Sequence, residues 1–204
     1  MARSDVQLML GVKAGDEESF ELLLQKYRTP LVHFLYRMVR EQATAEDLAQ
    51  EVFLRVYRAR KKYSPSAKFT TWLFRIATNL ALNSIRDGRH RQMEVSLDQP
   101  GDEEGPVIVV SSREKAVDVK LMERDRADFI RQAVLRLPEK QRVAVLLHKY
   151  QEMEYCDIAS VLECSESALK SLLFRAYETL RGELAPLITP VTPLVARARE
   201  GRPS

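Results

Sequence analysis

"EYCDIASVLECSESALKSLLFRAYETLR", residues 154–181, carries apolar side chains at helical spacing on either side of one short polar break. Ile158, Ala159 and Leu162 form one stripe, and Leu169, Leu173, Ala176 and Leu180 form another, as buried helix faces require. The break at Glu163 to Glu166 has room only for a tight turn. Two helices joined this closely predict helix-turn-helix geometry. With the second stripe facing inward, Ser167, Lys170, Ser171, Phe174 and Arg175 lie on or near the opposite face. Such a face suits a DNA major groove: the cations meet phosphate or guanine and the small hydroxyls make adaptable contacts. An ordinary helical hairpin has the same spacing, and the pattern alone leaves both readings open.

Upstream, Phe129, Ile130, Ala133, Val134 and Leu137 repeat as one helix, and Pro138 suits the first turn of another running through Val143, Leu146 and Leu147. Between Met93 and Ser112 the periodicity stops. "MEVSLDQPGDEEGPVIVVSS" has Pro100, Gly101, Gly105 and Pro106 around an acidic cluster and reads as a linker. Its "VIVV" has the composition of a strand but no second strand to pair with, which leaves disorder or docking onto a partner. The tail from Pro186 to Ser204, rich in proline and arginine, is expected to be irregular. The fold class that follows is all-α, with two small helical domains joined by a flexible acidic linker. The expected boundaries are 1–92, linker 93–123, a four-helix domain 124–184 and a tail 185–204.

In the first half, Ser4 with Gln7, and Thr44 with Asp47, have capping-box spacing and predict helix starts. Leu23, Leu24, Tyr27, Leu31, Phe34 and Leu35 form one amphipathic helix, and Leu48, Val52, Phe53, Val56 and Tyr57 another. The stretch "KFTTWLFRIATNLALNSIRDGRHRQ", 68–92, has two faces. Trp72, Leu73, Ile76, Ala77 and Leu80 make an apolar stripe, and Trp72 is assigned to the core. Arg75, Asn79, Asn83 and Arg86 make a polar stripe whose amides can read a base edge. From Phe53 to Arg91, ten Lys or Arg stand against a single acid, Asp87. This local field suits nucleic acid far better than the overall charge of +3 would suggest.

Other classes have little support. The three histidines, 33, 90 and 148, are scattered, and there is no HExxH, P-loop or nucleophile motif, so no enzyme, metal or cofactor is expected. Cys156 and Cys164 lack zinc or disulfide spacing and are expected to be reduced thiols. No run of about 18 apolar residues spans a bilayer and the N-terminus has no signal-peptide anatomy, so no membrane insertion and a cytoplasmic location are expected.

Taken in order, "AEDLAQEVFLRVYRA", "FTTWLFRIATNLALNSIRDGRHR" and "LPEKQRVAVLLHKYQEMEYCDIASVLECSESALKSLLFRAYETLR" resemble an extracytoplasmic-function sigma factor of bacterial RNA polymerase. The resemblance covers about Asp16 to Arg181. It implies a first domain that binds core polymerase and recognises and melts the minus-ten element, and a second that reads the minus-thirty-five element. Asp47, Leu48, Gln50, Glu51 and Phe53 would dock on the clamp coiled coil of the polymerase's largest subunit, a carboxylate-and-amide face beside an apolar knob. Ser66, Lys68 and Phe69, with Asn79, would hold a flipped base, Phe69 forming a wall of its pocket. Asn83 belongs to the same surface, and Arg75, Arg86, Arg89 and Arg91 would track phosphates.

Ser167, Lys170, Ser171, Phe174 and Arg175 fall at family contact positions for the upstream element. Leu172 stands where the family often has Arg, implying a lost contact, and "CSES" replaces a more usual Cys-Pro turn, with Ser165 or Ser167 as N-cap. The partners implied are core polymerase, through clamp and flap, promoter DNA and an anti-sigma protein, with the free chain a monomer. The acidic linker would thread toward the active-site cleft. Two other classes compete. A helix-turn-helix repressor leaves the first half idle, and a sigma mimic that sequesters a regulator has no need of the basic face.

Overall fold

The structure, a computed structural model, describes residues 3–98 and 117–188. "GDEEG", "VIVV" and most of the tail lie outside the described residues. Among those described there are eight α-helices, one 3-10 turn and no strand. The first domain comprises α1 (Asp5–Ala14), α2 (Glu17–Val39), α3 (Gln42–Ala59), the 3-10 turn Arg60–Lys62 and α4 (Phe69–Asp98). The second comprises α5 (Val117–Arg136), α6 (Glu139–Tyr150), α7 (Tyr155–Val161) and α8 (Glu166–Ile188).

The Ser4 capping box forms: the Gln7 amide N–H donates to Ser4 Oγ at 3.3 Å and Ser4 N–H to Gln7 Oε1 at 2.8 Å. Gly15, at φ 97°, closes α1 in the left-handed region where glycine carries no Cβ penalty. Thr44 is not a helix start. Arg40, at φ 70°, ends α2 and turns the chain at once, so α3 begins at Gln42 and Thr44 lies within it, donating to Glu41 Oε2 at 2.5 Å.

The stripe read from α2 is the centre of the first core, with Leu23, Tyr27, Leu31, Phe34, Leu35 and Met38 all buried. Phe34 meets Phe74 of α4 edge to face at 5.3 Å, and Tyr27 meets Phe69 at 5.4 Å. At the crossing of α1 and α2, Gly11 faces fully buried Ser19, whose hydroxyl donates to Asp16 Oδ2 at 2.5 Å. A Cβ at Gly11 would overlap Ser19 Oγ and stand 3.0 Å from Ser19 Cβ. Gly11→Ala is therefore expected to cost about 1–3 kcal/mol by overpacking, read as a lower urea midpoint; an unchanged midpoint would mean that the crossing relaxes freely.

In the second domain Leu137, Val143, Leu146, Leu147, Ile158, Leu169, Leu173 and Ala176 are buried together. Pro138 stands just before α6 as its N-cap, one residue ahead of the first turn. His148 Nδ1 lies 2.8 Å from Tyr177 Oη, and burial pushes the imidazole below and the phenol above their usual values. Three boundaries differ from the sequence reading. Helix α4 runs to Asp98 and α5 starts at Val117, because nothing between Met93 and Asp98 breaks a helix before Pro100. Helix α8 continues through Pro186 to Ile188, since proline in a last turn removes only one helical hydrogen bond.

Candidate nucleic-acid interface

Helix α4 sorts its side chains by pitch. Leu73, Phe74, Ala77, Leu80 and Ala81 are buried, and Arg75, Asn79, Asn83 and Arg86 are exposed along a single line. Ser66 and Lys68 are exposed in the turn that leads into the helix. Asn83 Oδ1 accepts from Arg86 Nη2 at 3.3 Å, while the Asn79 amide has no hydrogen-bond partner among the described residues. Arg89 is exposed at the far end; Arg91 falls in α4 with its side chain outside the described part.

Phe69 does not belong to this surface. It is 1% exposed and packs on Tyr27 of α2, because as the first residue of α4 it is turned into the bundle. A ring so enclosed cannot form the wall of a surface pocket, contrary to the expectation from sequence. Trp72 is half-buried, with ring centroids 5.3 Å from Tyr63 and 6.2 Å from Phe69, and packs against the core.

On α3, Asp47 and Gln50 are exposed and Glu51 is partly so, with Leu48 half-buried against the core. Arg55 Nε donates to Glu51 at 2.7 Å and holds its carboxyl below the usual range. Phe53, at 6% exposed, is a core residue and cannot be the apolar knob. Leu54 is the exposed apolar residue on that side of α3, at 48% exposure, and it completes the i, i+3, i+4, i+7 line of 47, 50, 51 and 54. That spacing was the available signal.

The turn before α8 is built as a Schellman closure. Glu163 takes the left-handed conformation at φ 53°, and Cys164 N–H donates to Ala159 O at 3.0 Å. Ser165 caps α8, accepting from Ala168 N–H at 3.2 Å. Ser167, Lys170, Ser171, Phe174 and Arg175 are all exposed on α8, Phe174 by 67%. Ser171 Oγ donates to the Ser167 carbonyl at 3.1 Å, and Arg175 Nε to the Ser171 carbonyl at 3.3 Å, which steers the guanidinium along the face. Leu172 is half-buried against the core, so in this chain the position serves packing. Cys164 is half-buried at the turn and Cys156 exposed.

Helix α7 also lies against α4, which the sequence did not reveal. Lys68 Nζ is 2.8 Å from Asp157 Oδ2, an ion pair that raises the lysine pKa, and Thr71 Oγ1 donates to Asp157 Oδ1 at 2.9 Å. Arg75 reaches Glu163 Oε1 through Nε at 3.1 Å and Nη2 at 2.5 Å, and Arg89 reaches Glu139 at 2.8 Å. Arg142, 7% exposed, donates to the Met38 carbonyl at 3.0 Å and the Leu137 carbonyl at 3.3 Å; burial lowers its pKa. Arg37 stacks on Tyr150 at 4.2 Å.

Residues 23–91 match the family profile "Sigma-70 region 2", and residues 130–180 match "Sigma-70, region 4". The RNA polymerase sigma-H factor of Pseudomonas aeruginosa is 34% identical over 189 residues, spanning 90% of this chain and 95% of that protein. The ECF RNA polymerase sigma factor SigW of Bacillus subtilis is 31% identical, spanning 86% and 94%. Among solved structures, CnrH in complex with the cytosolic domain of CnrY aligns with TM-score 0.63 at 18% identity, covering 88% of this chain and 96% of that one. RpoE in complex with the anti-sigma factor NepR, from Bartonella quintana, aligns with TM-score 0.62 at 21% identity, covering 82% and 98%. These two likenesses concern the fold.

Proposed function

Because this chain belongs to the extracytoplasmic-function sigma factors of the sigma-70 family, which direct RNA polymerase to promoters, we propose how its surfaces divide that task. The polar face of α4, formed by Lys68, Arg75, Asn79, Asn83 and Arg86, holds the unpaired strand of the minus-ten element. Arginines there track phosphate and the amides meet base edges, a division that single-stranded recognition requires. The face of α8, formed by Ser167, Lys170, Ser171, Phe174 and Arg175, enters the major groove at the minus-thirty-five element. Asp47, Gln50, Glu51 and Leu54 on α3 dock on the clamp coiled coil of the polymerase's largest subunit, with the second domain against the flap.

The chain works as a monomer in the cytoplasm, where the polymerase is. The described residues include no helix long and apolar enough to cross a membrane. A regulator of the anti-sigma kind is a further partner, supported by the RpoE complex, in which that protein is bound by one.

The observation that carries this reading is the sorting of α4: a line of exposed cations and amides opposite a buried stripe that is apolar apart from Thr71 and Thr78. Reconstituted transcription with bacterial core polymerase tests it. Asn79→Ala is expected to lower specific initiation about tenfold or more, the scale of one lost amide-to-base pair, with core binding retained. Unchanged initiation would remove Asn79 from the reading face. A chain that binds core and opens no promoter in a genomic template library would be a sequestering mimic.

A further inference from the structure

A cavity of about 390 Å³ opens where the C-terminal end of α2 meets α5 and the last residue of α6, a size within the range of small-molecule sites. Ile130, Val134 and Leu135 of α5 give it an apolar wall, and two exposed phenol rings, Tyr36 and Tyr150, complete its aromatic lining. Every charge in the lining is a guanidinium, from Arg37, Arg40 and Arg131, and no acid is among them. Arg131 is paired with Asp128. Arg37 lies over the Tyr150 ring at 4.2 Å and donates to the His33 carbonyl at 3.2 Å. Arg40 has no ion pair among the described residues. Nearby, the 7% exposed Arg142 has an Nε that meets no hydrogen-bond partner, and burial, then the charge of Arg40, holds its pKa down. Glu139 is the acid that offsets this field, and Arg89 already pairs with it.

We infer that this cavity is a binding site for a purine nucleotide, its base stacked on the tyrosines against the apolar wall and its phosphates held by Arg37 and Arg40. Each part of the lining calls for one part of that ligand. Phenol rings and a planar guanidinium offer flat faces to a flat base. A guanidinium without a carboxylate takes phosphate oxygens through charge-assisted hydrogen bonds, and its fork matches two of them at once. A neutral sugar would leave those cations uncompensated, and a hydrocarbon would bury them beside no anion. None of the lining residues belongs to the polar faces of α4 or α8, so the site is separate from the surfaces assigned to DNA. A ligand there touches both domains, α2 on one side and α5 and α6 on the other.

The test titrates the full chain with ADP and with GDP by isothermal titration calorimetry. The expected Kd for at least one of them is about 10–100 µM, the scale for a ligand of this size in a preformed pocket. Adenosine, which lacks the phosphates, and pyrophosphate, which lacks the base, are each expected to bind about tenfold more weakly or worse. Arg40 stands at φ 70°, a conformation that glycine adopts freely, so Arg40→Gly removes the cation without straining the fold and is expected to weaken binding about tenfold. Tyr150→Ala is expected to weaken it as well, while Tyr150→Phe, which keeps the ring, binds as wild type. Lys68→Ala with Arg75→Ala on α4 is expected to change nothing. Three results would each overturn the proposal. One is no binding of either nucleotide at about 1 mM, a concentration well above the expected Kd. Another is pyrophosphate binding as tightly as ADP, which describes a plain anion site. The third is binding that survives Arg40→Gly and is lost with Lys68 and Arg75, which puts the nucleotide on the α4 face.

Discussion

Phe34→Ala is expected to destabilise the first domain by about 3–5 kcal/mol, the range for truncating a fully enclosed aromatic. Phe34 is 1% exposed and stands edge to face against Phe74, so the change loses both buried area and a favourable ring geometry between α2 and α4. Small domains have little stability to spare, and a loss of this size lowers the melting temperature by roughly 15–30 °C. Circular dichroism melts of wild type and variant provide the measurement. Leu54→Ala, an exposed truncation on α3, is the control and is expected to fall within about 0.5 kcal/mol of wild type. A Phe34→Ala protein that melts with the control would mean that the α2–α4 contact contributes little to the fold.

Lys170→Ala combined with Arg175→Ala is expected to lower initiation at promoters that depend on the upstream element about a hundredfold or more. Each cation lost from a base edge or phosphate costs about 1–3 kcal/mol, and the two proposed contacts, five residues apart on α8, would act on the same groove. Both side chains are exposed, so the effect arises in the complex and the fold is spared. Gel-shift measurements on the upstream duplex should also show a salt slope shallower by about 0.9 for each phosphate contact removed. Core binding, proposed above for α3, should be unchanged. Normal initiation by the double variant would remove α8 from the reading surface and leave the helix-turn-helix as structural support.

Where apolar residues recur strictly, the sequence reading and the structure coincide. The α2 stripe from Leu23 to Leu35 and the α8 stripe from Leu169 to Leu180 are buried nearly as read, and the Ser4 box forms with both of its hydrogen bonds. Errors arise where a residue sits near the edge of a stripe. Phe53 and Leu54 differ by one position, or about 100° around the helix, which decides which of them is buried. Phe69, expected at the surface, is enclosed, while Trp72 packs against the core as read but stays half-buried. Thr44 fails as a cap because a left-handed Arg40 lets the next helix begin early. The contacts between the domains leave no trace in any local pattern: Lys68 and Asp157 are 89 residues apart, and Arg75 and Glu163 are 88. Spacing and periodicity report on one helix at a time.

That separation along the chain also orders events in time. A ribosome adds about 5–20 residues per second, so Asp157 is made roughly 4–18 s after Lys68. The contacts within the first domain join helices that are near neighbours in sequence, and domains of low contact order fold in microseconds to milliseconds. Each newly made first domain is thus complete, with Lys68 and Arg75 uncovered, for seconds before its own second domain exists. In that interval the nascent chain carries a finished cationic face and no acids to cover it. Whatever polyanion or polymerase is nearby then meets Lys68 and Arg75 before Asp157 and Glu163 exist to pair with them.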